Sequence, residues 1–188
     1  MKARLSDLAD ACGGRVVGLD VTVDGATQDS RGVEPGQLFV ALRGDRDGHE
    51  FVDGAAAAGA VAYLGERVVD TVEIPAVVTG DAGAALADVG RWARDRLPDR
   101  VVGVTGSVGK TSTKDLLAAV LATTFRTHAS HRSFNNEIGL PITLLGASND
   151  VDVVICEMGA RFAGNIAELC AIASPDRGRN AACRRSPP

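Results

Sequence analysis

The residues with the clearest chemical signature lie in segment 101–114, which reads VVGVTGSVGKTSTK. A short apolar run leads into a glycine-rich loop, and Lys110 and Thr111 then open a pattern typical of a helix. Backbone N–H groups in such a loop, together with the positive end of a helix, bind phosphate oxygens. A lysine ammonium is compact and can contact two phosphates at once, whereas an arginine guanidinium is a wide planar fork. The segment therefore predicts a binding site for a nucleoside triphosphate.

The loop is a variant of the standard P-loop. The strict pattern requires glycine at position 104, where this chain has Val104, with Gly103 and Gly106 nearby. Lysine is rare in this chain, because only three of its 20 basic residues are lysines. One of the three follows Gly109 directly, which favours a phosphate site over an ordinary glycine-rich turn. Thr111 is placed for its hydroxyl to reach Mg²⁺.

Two further positions could take part in the same chemistry. Glu157 follows an apolar run in the string VVICEMG. Ligands of open α/β sheets bind at the carboxyl ends of the strands, so Glu157 is predicted to face the same phosphates and to bind Mg²⁺. The alternative is an acid exposed to solvent at the end of a strand. Asn135 and Asn136 offer amide groups just before a helix pattern, and the alternative for them is that one caps that helix.

These positions need a framework of strands and helices. In residues 1–80, short apolar runs separated by Gly, Pro and Asp predict a β-rich module with one or two helices. After residue 98, apolar strands alternate with helices, which predicts a parallel sheet covered on both faces. The predicted strands are 21–23, 38–42, 61–64, 76–78, 101–105, 125–127 and 151–157, and the predicted helices lie around 5–12, 53–59, 81–96, 111–124, 138–145 and 164–173. Four apolar residues share one face of helix 111–124, namely Leu116, Leu117, Val120 and Leu121.

Composition narrows the class of partner. The formal net charge is −4 and aromatic residues make up 4% of the chain, which argues against the basic stripe and exposed rings of a nucleic-acid-binding surface. No run approaches the 18 apolar residues of a membrane-spanning helix, and the N-terminus becomes charged too early for a signal peptide. We therefore expect a cytoplasmic monomer with small-molecule partners, no nucleic acid and no membrane insertion.

The final segment, 176–188, differs from the rest of the chain. It reads DRGRNAACRRSPP and has no Val, Leu, Ile or Phe. The sequence has predicted only two or three strands of the parallel sheet by this point, too few to bury both faces. We expect an atypical, disordered tail and interpret it as a truncated or frame-shifted end. The alternative is a genuine basic tail. The expected fold class is thus α/β, with a small mixed α/β N-terminal domain followed by a truncated P-loop domain with a parallel sheet.

Three strings carry a family resemblance in their order and spacing. TGSVGKTSTK, FNNEIGLPITLL and EMGARFAGNI resemble the Mur ligase family. The paired asparagines and the continuation Ser112-Thr113-Lys114 resemble its MurF type, whereas a sister ligase typically has TGTNGKTT in the loop. Residues 27–51, TQDSRGVEPGQLFVALRGDRDGHEF, are similar to the family's uridine-nucleotide-binding domain. The resemblance extends over about residues 4–175.

This resemblance implies roles for individual residues. Lys110 and Glu157 would be catalytic, and Thr111 and Glu157 would hold Mg²⁺. The ATP phosphates would be bound by Thr105, Gly106, Ser107, Val108, Gly109, Lys110, Thr111 and Ser112. The UDP-linked substrate would be bound by Ser30, Arg31, Gly44, Asp45, Arg46, Asp47, Asn135 and Asn136. The implied domains are a UDP-muramoyl-substrate-binding domain at 1–80, a connecting helix at 81–98 and a partial central ATP-binding domain at 99–175.

The resemblance also implies a reaction. It is an ATP-dependent amide ligation in peptidoglycan precursor synthesis, which joins D-alanyl-D-alanine to a UDP-N-acetylmuramoyl tripeptide through an acyl phosphate, with ATP and Mg²⁺ as cofactors. Family members use a carbamylated lysine further downstream, and this chain has no lysine after Lys114. In addition, Asn165 stands where the family more often has Glu. We therefore expect that the 188-residue chain does not complete ligation alone. Two alternatives stay open: a related Mur or folylpolyglutamate-type ligase with another substrate, and a nucleotide-binding fragment without catalysis.

Overall fold

The described residues form a five-stranded mixed sheet, a three-stranded parallel sheet and a two-stranded antiparallel pair. The structure is a computed structural model that describes residues 1–131 and 133–175. These residues belong to two units, Met1–Trp92 and Ala93–Pro188. The predicted disordered tail at 176–188 lies outside the described residues.

The first unit is built on a five-stranded mixed sheet. Its elements are β1 (Lys2–Arg4), α1 (Leu5–Cys12), β2 (Arg15–Val17), β3 (Thr22–Asp24), β4 (Ala26–Thr27), β5 (Leu38–Val40), a 3-10 helix (Gly48–Phe51), α2 (Val52–Ala58), β6 (Ala62–Gly65), β7 (Ala76–Val78) and α3 (Ala82–Arg94), whose C-terminal end falls in the second unit. The strand order is β2-β7-β6-β5-β4. Neighbours from β7 to β4 are parallel, and β2 is antiparallel to β7. A separate antiparallel pair joins β1 to β3.

The middle strands of this sheet form the core of the first unit. Every residue of β5 and β6 is buried, as expected for parallel strands that are covered on both faces. Phe39 and Tyr63 are the largest of these side chains, and each is 1% exposed. The Tyr63 hydroxyl accepts a hydrogen bond from the Val69 N–H at 2.8 Å, so its polar end is satisfied inside the core. This packing fixes the carboxyl ends of β5 and β6. The loop that follows β5 carries the predicted site residues 44–47.

The second unit contains a three-stranded sheet that is parallel throughout. Its elements after α3 are β8 (Val101–Val104), α4 (Lys110–Leu121), β9 (Thr127–Ala129), α5 (Gly139–Gly146), β10 (Val153–Glu157) and α6 (Asn165–Ala173). β10 is fully buried and lies between the other two strands. Its register pairs Glu157 with Val104 on β8 and Ile155 with Ala129 on β9. The α/β fold class is confirmed, because a mixed sheet is followed by a parallel one. None of the described helices is both long and apolar enough to cross a bilayer.

Helix α4 does not bury the apolar face that its leucines suggest. Leu116 is 68% exposed and Val120 is 65% exposed, whereas the buried residue of the helix is Lys114. The side of α4 that contacts β9 and β10 carries this lysine. Leu117 and Leu121 are half-buried. The apolar spacing in the sequence therefore does not show which side of the helix is buried, since the neighbouring strands decide it.

His128 on β9 makes stability depend on pH. Its Nε2 donates to the Thr143 carbonyl at 2.9 Å, and burial lowers the pKa of His128 below 6.5. Between the lowered pKa and 6.5, the unfolded chain binds a proton that the folded chain does not, so stability falls as the pH falls. We expect stability to fall with pH inside this window, by less than about 1.4 kcal/mol per pH unit, and to level off below the lowered pKa.

Urea unfolding at pH 7.0, 6.0 and 5.0 measures this dependence. The matched control is His128→Gln, which keeps an N–H donor for the Thr143 carbonyl. The variant should lack this part of the pH dependence. Identical pH profiles for the two proteins would contradict the assignment.

Candidate active site

The carboxyl ends of the three parallel strands meet at one edge of the second sheet. The Met158 N–H donates to the Val104 carbonyl at 2.8 Å, which extends the pairing of β10 with β8 by one residue. On the other side, the Ser130 N–H donates to the Ile155 carbonyl at 2.9 Å. The glycine-rich loop leaves β8, the asparagine loop leaves β9, and Glu157 ends β10. The predicted phosphate, metal and substrate residues of this unit therefore come together at the edge where α/β sheets bind ligands.

The loop between β8 and α4 forms a cradle of backbone N–H groups. Gly109 precedes α4 with a φ of 79°, a left-handed conformation that glycine adopts without steric cost. In the described part of the chain, the backbone N–H groups of residues 106–112 donate to no protein acceptor. The Lys110 ammonium lies on the same loop, and its Nζ donates to the Gly106 carbonyl at 2.8 Å. Free N–H donors, the start of a helix and an ammonium together form a site for an anion.

The individual loop residues are accessible to a ligand. The residues before the helix are exposed, namely Thr105, Gly106, Ser107, Val108 and Gly109. Ser112 is exposed as well, while Lys110 and Thr111 are half-buried. A phosphate group can therefore approach the N–H groups from solvent without any rearrangement of the core.

Glu157 carries an unpaired oxygen inside the protein. The residue is 1% exposed, and its Oε1 accepts a hydrogen bond from Asn135 Nδ2 at 2.8 Å. Its Oε2 is buried and has no hydrogen-bond partner among the described residues. A buried carboxylate oxygen without a partner is costly in free energy, so a native protein that keeps one has a reason for it. A bound cation would compensate this charge.

The available oxygen ligands fit Mg²⁺. A carboxylate at Glu157 and a hydroxyl at Thr111 are hard donors of the kind that Mg²⁺ prefers, and this ion usually keeps several waters beside one or two protein carboxylates. Among the described residues there is no cluster of three or more His, Cys, Asp or Glu side chains that would suggest a different, fully protein-bound metal.

The paired asparagines have different contacts. Asn135 donates from Nδ2 to Glu157, and its carbonyl accepts from the Gly159 N–H at 2.7 Å. Asn136 instead accepts from the Gly139 N–H through Oδ1 at 2.8 Å, which caps the start of α5. The structure thus joins Asn135 to the carboxylate and gives Asn136 a capping contact. Substrate binding by either residue stays a prediction.

A second cluster of predicted residues lies at the carboxyl edge of the first sheet. Because β4, β5, β6 and β7 are parallel neighbours, the loops that follow them leave from the same edge. Ser30 and Arg31 lie in the loop after β4, and residues 44–47 lie in the loop after β5. The topology therefore places all of the predicted uridine-nucleotide residues of the first unit at one edge of the sheet.

The charged side chains at this edge are engaged in ion pairs. Arg31 is 87% exposed and forms a two-pronged pair with Asp29, with both N–O distances at 2.9 Å. Hydrogen bonds from the side chain and backbone of Arg31 lower the pKa of Asp29. Arg46 lies over the ring of Phe51, with its guanidinium carbon 4.3 Å from the ring centre. Gly44 and Asp45 are exposed at the tip of the turn.

Sequence reasoning missed His49, which organises this loop. The ring is 2% exposed and its Nε2 accepts from the Glu66 N–H at 2.9 Å, so the hydrogen must be on Nδ1. Nδ1 donates to Asp47 Oδ1 at 2.6 Å, and Arg67 donates to Asp47 Oδ2 at 3.1 Å. Hydrogen bonds from the His49 backbone N–H and ring, and from Arg67, hold the pKa of Asp47 well below its ordinary value. The string DGH was the available signal, since the Nδ1–H of a histidine often donates to a carboxylate.

Gly65 leaves room for the His49 ring. A Cβ at position 65 would lie 2.5 Å from His49 Nε2, and the hydrogen bonds of the ring oppose its displacement. We expect Gly65→Ala to lower the free energy of unfolding of the first unit by about 1–3 kcal/mol. The measurement is urea unfolding followed by the fluorescence of Trp92, the only tryptophan in the sequence.

Gly54→Ala is the matched control for this substitution. A Cβ at position 54 in α2 meets nothing within 4 Å, so alanine there should be neutral or stabilising by up to about 1 kcal/mol. Equal stability of the two variants would show that the clearance for His49 has no energetic importance.

Two models of one protein family match most of the chain. Residues 22–98 match a family model described as "Mur ligase family, catalytic domain", and residues 104–179 match one described as "Mur ligase middle domain". The chain is 40% identical over 173 residues to the UDP-N-acetylmuramoyl-tripeptide–D-alanyl-D-alanine ligase of Escherichia coli, covering 92% of this chain and 38% of that protein. It is 42% identical over 157 residues to the Bacillus subtilis ligase of the same name, covering 82% of this chain and 34% of that protein. The chain thus spans less than two fifths of the length of these relatives.

Solved structures give the same result. MurF from Acinetobacter baumannii superposes with a TM-score of 0.81 at 30% identity, covering 93% of this chain and 40% of that chain. MurF from Thermotoga maritima, solved in complex with ADP, superposes with a TM-score of 0.67 at 35% identity, covering 82% of this chain and 36% of that chain. With two Mur ligase models matched along most of its length, and with sequence and structural relatives of MurF type, the chain belongs to the Mur ligase family.

Proposed function

We propose that this chain provides the ATP-phosphate site and the uridine-nucleotide site of a MurF-type ligase. The reaction joins D-alanyl-D-alanine to a UDP-N-acetylmuramoyl tripeptide. The observation that carries the proposal is the pairing of two features at one sheet edge. The Lys110 ammonium lies on a loop with free N–H groups, and the neighbouring strand ends in Glu157 with its unpaired, buried oxygen. The names of the relatives, and the ADP complex of one of them, support this choice of ligands.

The chemistry explains why a phosphate site belongs in an amide ligase. A carboxylate is too poor an electrophile for an amine, so one of its oxygens first attacks the γ-phosphorus of ATP. The bond from that phosphorus to the ADP oxygen breaks, and an acyl phosphate forms on the tripeptide. The amine of D-alanyl-D-alanine then attacks the acyl carbon, loses a proton and expels inorganic phosphate. Both steps depend on positioning and on neutralisation of negative charge.

Residues of this chain would position the ATP phosphates and neutralise their negative charge. The N–H groups of residues 106–112 would hold the phosphate oxygens, and Lys110 would leave the Gly106 carbonyl to neutralise charge on the transferred phosphoryl group. Thr111 and Glu157 would hold Mg²⁺. That ion, when bound, offsets the charge of the phosphates and orients them. Asn135 would keep the Glu157 carboxylate oriented through its 2.8 Å hydrogen bond.

The first unit would bind the UDP part of the second substrate. Ser30, Arg31 and residues 44–47 lie in loops at one sheet edge. An arginine such as Arg31 can exchange its pairing with Asp29 for a two-pronged contact with a diphosphate, which carries more charge. The Asp47–His49 network would hold the turn that carries Arg46 in one conformation.

Calorimetry on the 188-residue chain tests both halves of the proposal. We expect Mg·ATP and UDP-N-acetylmuramoyl tripeptide each to bind with a stoichiometry of one, and neither to displace the other. A ligase for another acid, such as a folylpolyglutamate-type enzyme, would bind Mg·ATP and ignore the UDP-linked peptide. Displacement of one ligand by the other, or no binding of Mg·ATP, would contradict the proposal.

A further inference from the structure

Lys114 is a buried charge that the proposed reaction does not use. It lies one helical turn after Lys110 and is 3% exposed. Lysine is rarely buried to this extent unless its ammonium is paired. Here Nζ donates to the Ser130 carbonyl at 2.7 Å and lies 2.9 Å from Asp115 Oδ1. These contacts turn the ammonium toward the end of β9 rather than toward the phosphate loop.

Ser130 connects Lys114 with β10, the strand that ends in Glu157. Its Oγ accepts the Glu157 N–H at 3.0 Å, and its own N–H donates to the Ile155 carbonyl at 2.9 Å. Ser130 is 2% exposed, so these hydrogen bonds are shielded from water. One residue thus bridges the Lys114 ammonium and the backbone of Glu157.

The same strand end is also held by the asparagine loop. This loop follows Ser130, and Asn135 binds the Glu157 side chain through Nδ2 and the Gly159 N–H through its carbonyl. Lys114 therefore connects the helix that begins at the phosphate loop with the loop and strand that orient the carboxylate. An apolar side chain at position 114 could fill the space but could not make this connection.

We propose that Lys114 is a positioning residue for the metal and phosphate site. By holding Ser130, it fixes the distance between the start of α4, which carries Thr111, and the end of β10, which carries Glu157. The inference rests on the proposed function, since it assumes that Thr111 and Glu157 bind the same Mg²⁺. A compact ammonium suits a single carbonyl in a narrow space better than a planar guanidinium does, which fits the presence of lysine in a chain whose basic residues are mostly arginine.

The first test needs no ligand. In Lys114→Met, the Ser130 carbonyl loses its hydrogen bond from the ammonium, so Ser130, whose hydroxyl accepts the Glu157 N–H, is no longer held. The Glu157 amide should therefore exchange its hydrogen with solvent about tenfold faster or more. The Met158 amide is the internal control, since its partner is the Val104 carbonyl on the neighbouring strand. An equal acceleration at both amides, or at neither, would mean that Lys114 only stabilises the fold and would overturn the inference.

The second test separates metal-dependent from metal-independent ATP binding. The Kd for ATP is measured with Mg²⁺ and with EDTA in the wild type, in Lys114→Met and in Ser130→Ala. Loss of a residue that orients a metal ligand typically weakens metal binding by about 10–100-fold. We therefore expect both variants to lose the Mg²⁺-dependent gain in affinity by about tenfold or more and to keep the wild-type Kd in EDTA.

The outcomes distinguish this inference from the proposed function. A wild type that binds no ATP under either condition contradicts the proposed function. A wild type with a Mg²⁺-dependent gain that both variants retain contradicts only the role of Lys114. If Lys114→Met does not fold, Ser130→Ala decides, because it keeps the ammonium and removes only the acceptor of the Glu157 N–H.

Discussion

Replacing Lys110 by alanine is expected to raise the Kd for Mg·ATP by about 10- to 100-fold and to leave the fold intact. A hydrogen bond to a charged group contributes about 1.5–3 kcal/mol, which corresponds to this change in affinity. The effect on stability should be small, because the hydrogen bond from Nζ to the Gly106 carbonyl is exposed to solvent. Titration calorimetry measures the Kd, and urea unfolding checks the fold.

Lys2→Ala is the matched control for this prediction. It removes the same charge from an exposed position on β1 in the first unit, so its Kd for Mg·ATP should equal that of the wild type. Lys110→Arg should fall between the two, since it keeps the charge but loses the compact shape. An unchanged affinity in Lys110→Ala would show that the phosphates bind elsewhere.

The second large effect is expected from Glu157→Gln. This substitution should raise the stability of the second unit and weaken its Mg²⁺-dependent binding of ATP. The substitution replaces a buried carboxylate, whose Oε2 has no partner among the described residues, by a neutral amide of the same shape. The amide oxygen can still accept from Asn135. We expect the free energy of unfolding of the second unit to rise by about 1–3 kcal/mol in the absence of metal, because the cost of a buried charge is removed.

Binding should change in the opposite direction. Without the carboxylate, Mg²⁺ would lose its proposed charged protein ligand, so the Kd for ATP should become nearly independent of Mg²⁺. Glu168→Gln is a control on α6, where the carboxylate lies in an exposed residue and accepts from Asn165. A variant at 157 that is less stable than the wild type and binds Mg·ATP equally well would contradict the metal assignment.

Such opposite effects are typical of functional sites. A residue that lowers the stability of the fold but serves ligand binding marks a place where the fold is adapted to that ligand. Glu157 fulfils this description through its unpaired oxygen, whereas the buried Cys156 beside it has a pKa raised by burial to about 12 and is chemically inert at neutral pH.

The strand–loop–helix parts of the fold could be predicted from the sequence because their signals are local. The run VVGV, the glycines after it and the lysine lie within ten residues or so of one another, and they specify a strand, a phosphate loop and a helix. The alternation of apolar strands with helices then required a parallel sheet. Glu157 could be placed at the ligand edge by the same rule, since all parallel strands end on one side.

Features that depend on distant neighbours could not be predicted. Strands β1, β2 and β4 have two or three residues each, too few to show an alternating pattern. The leucines of α4 share one face in the sequence, whereas the buried side chain of the helix is Lys114, whose ammonium donates to the Ser130 carbonyl after β9. In each case the deciding contact joins residues that are far apart in the sequence.

Contacts between side chains that the sequence alone does not pair also decide the details of the site. Asn135 and Asn136 are adjacent and chemically identical, and only the structure shows that one contacts Glu157 and the other caps α5. His49 contacts Glu66, which lies 17 positions away. Asn165, noted as a departure from the family pattern, accepts from the Arg161 N–H at 3.0 Å and so orders the turn before α6.

The central claim is that the loop before α4 holds a polyphosphate through its backbone N–H groups and Lys110. Its most direct test is a set of ¹⁵N–¹H spectra of the 188-residue chain during a titration with Mg·ATP. We predict that the largest shifts occur at the amides of residues 106–112, with smaller shifts at Glu157, and that Lys110→Ala abolishes them at the same ligand concentration. Saturable ATP binding that leaves the amides of 106–112 unshifted would contradict the account.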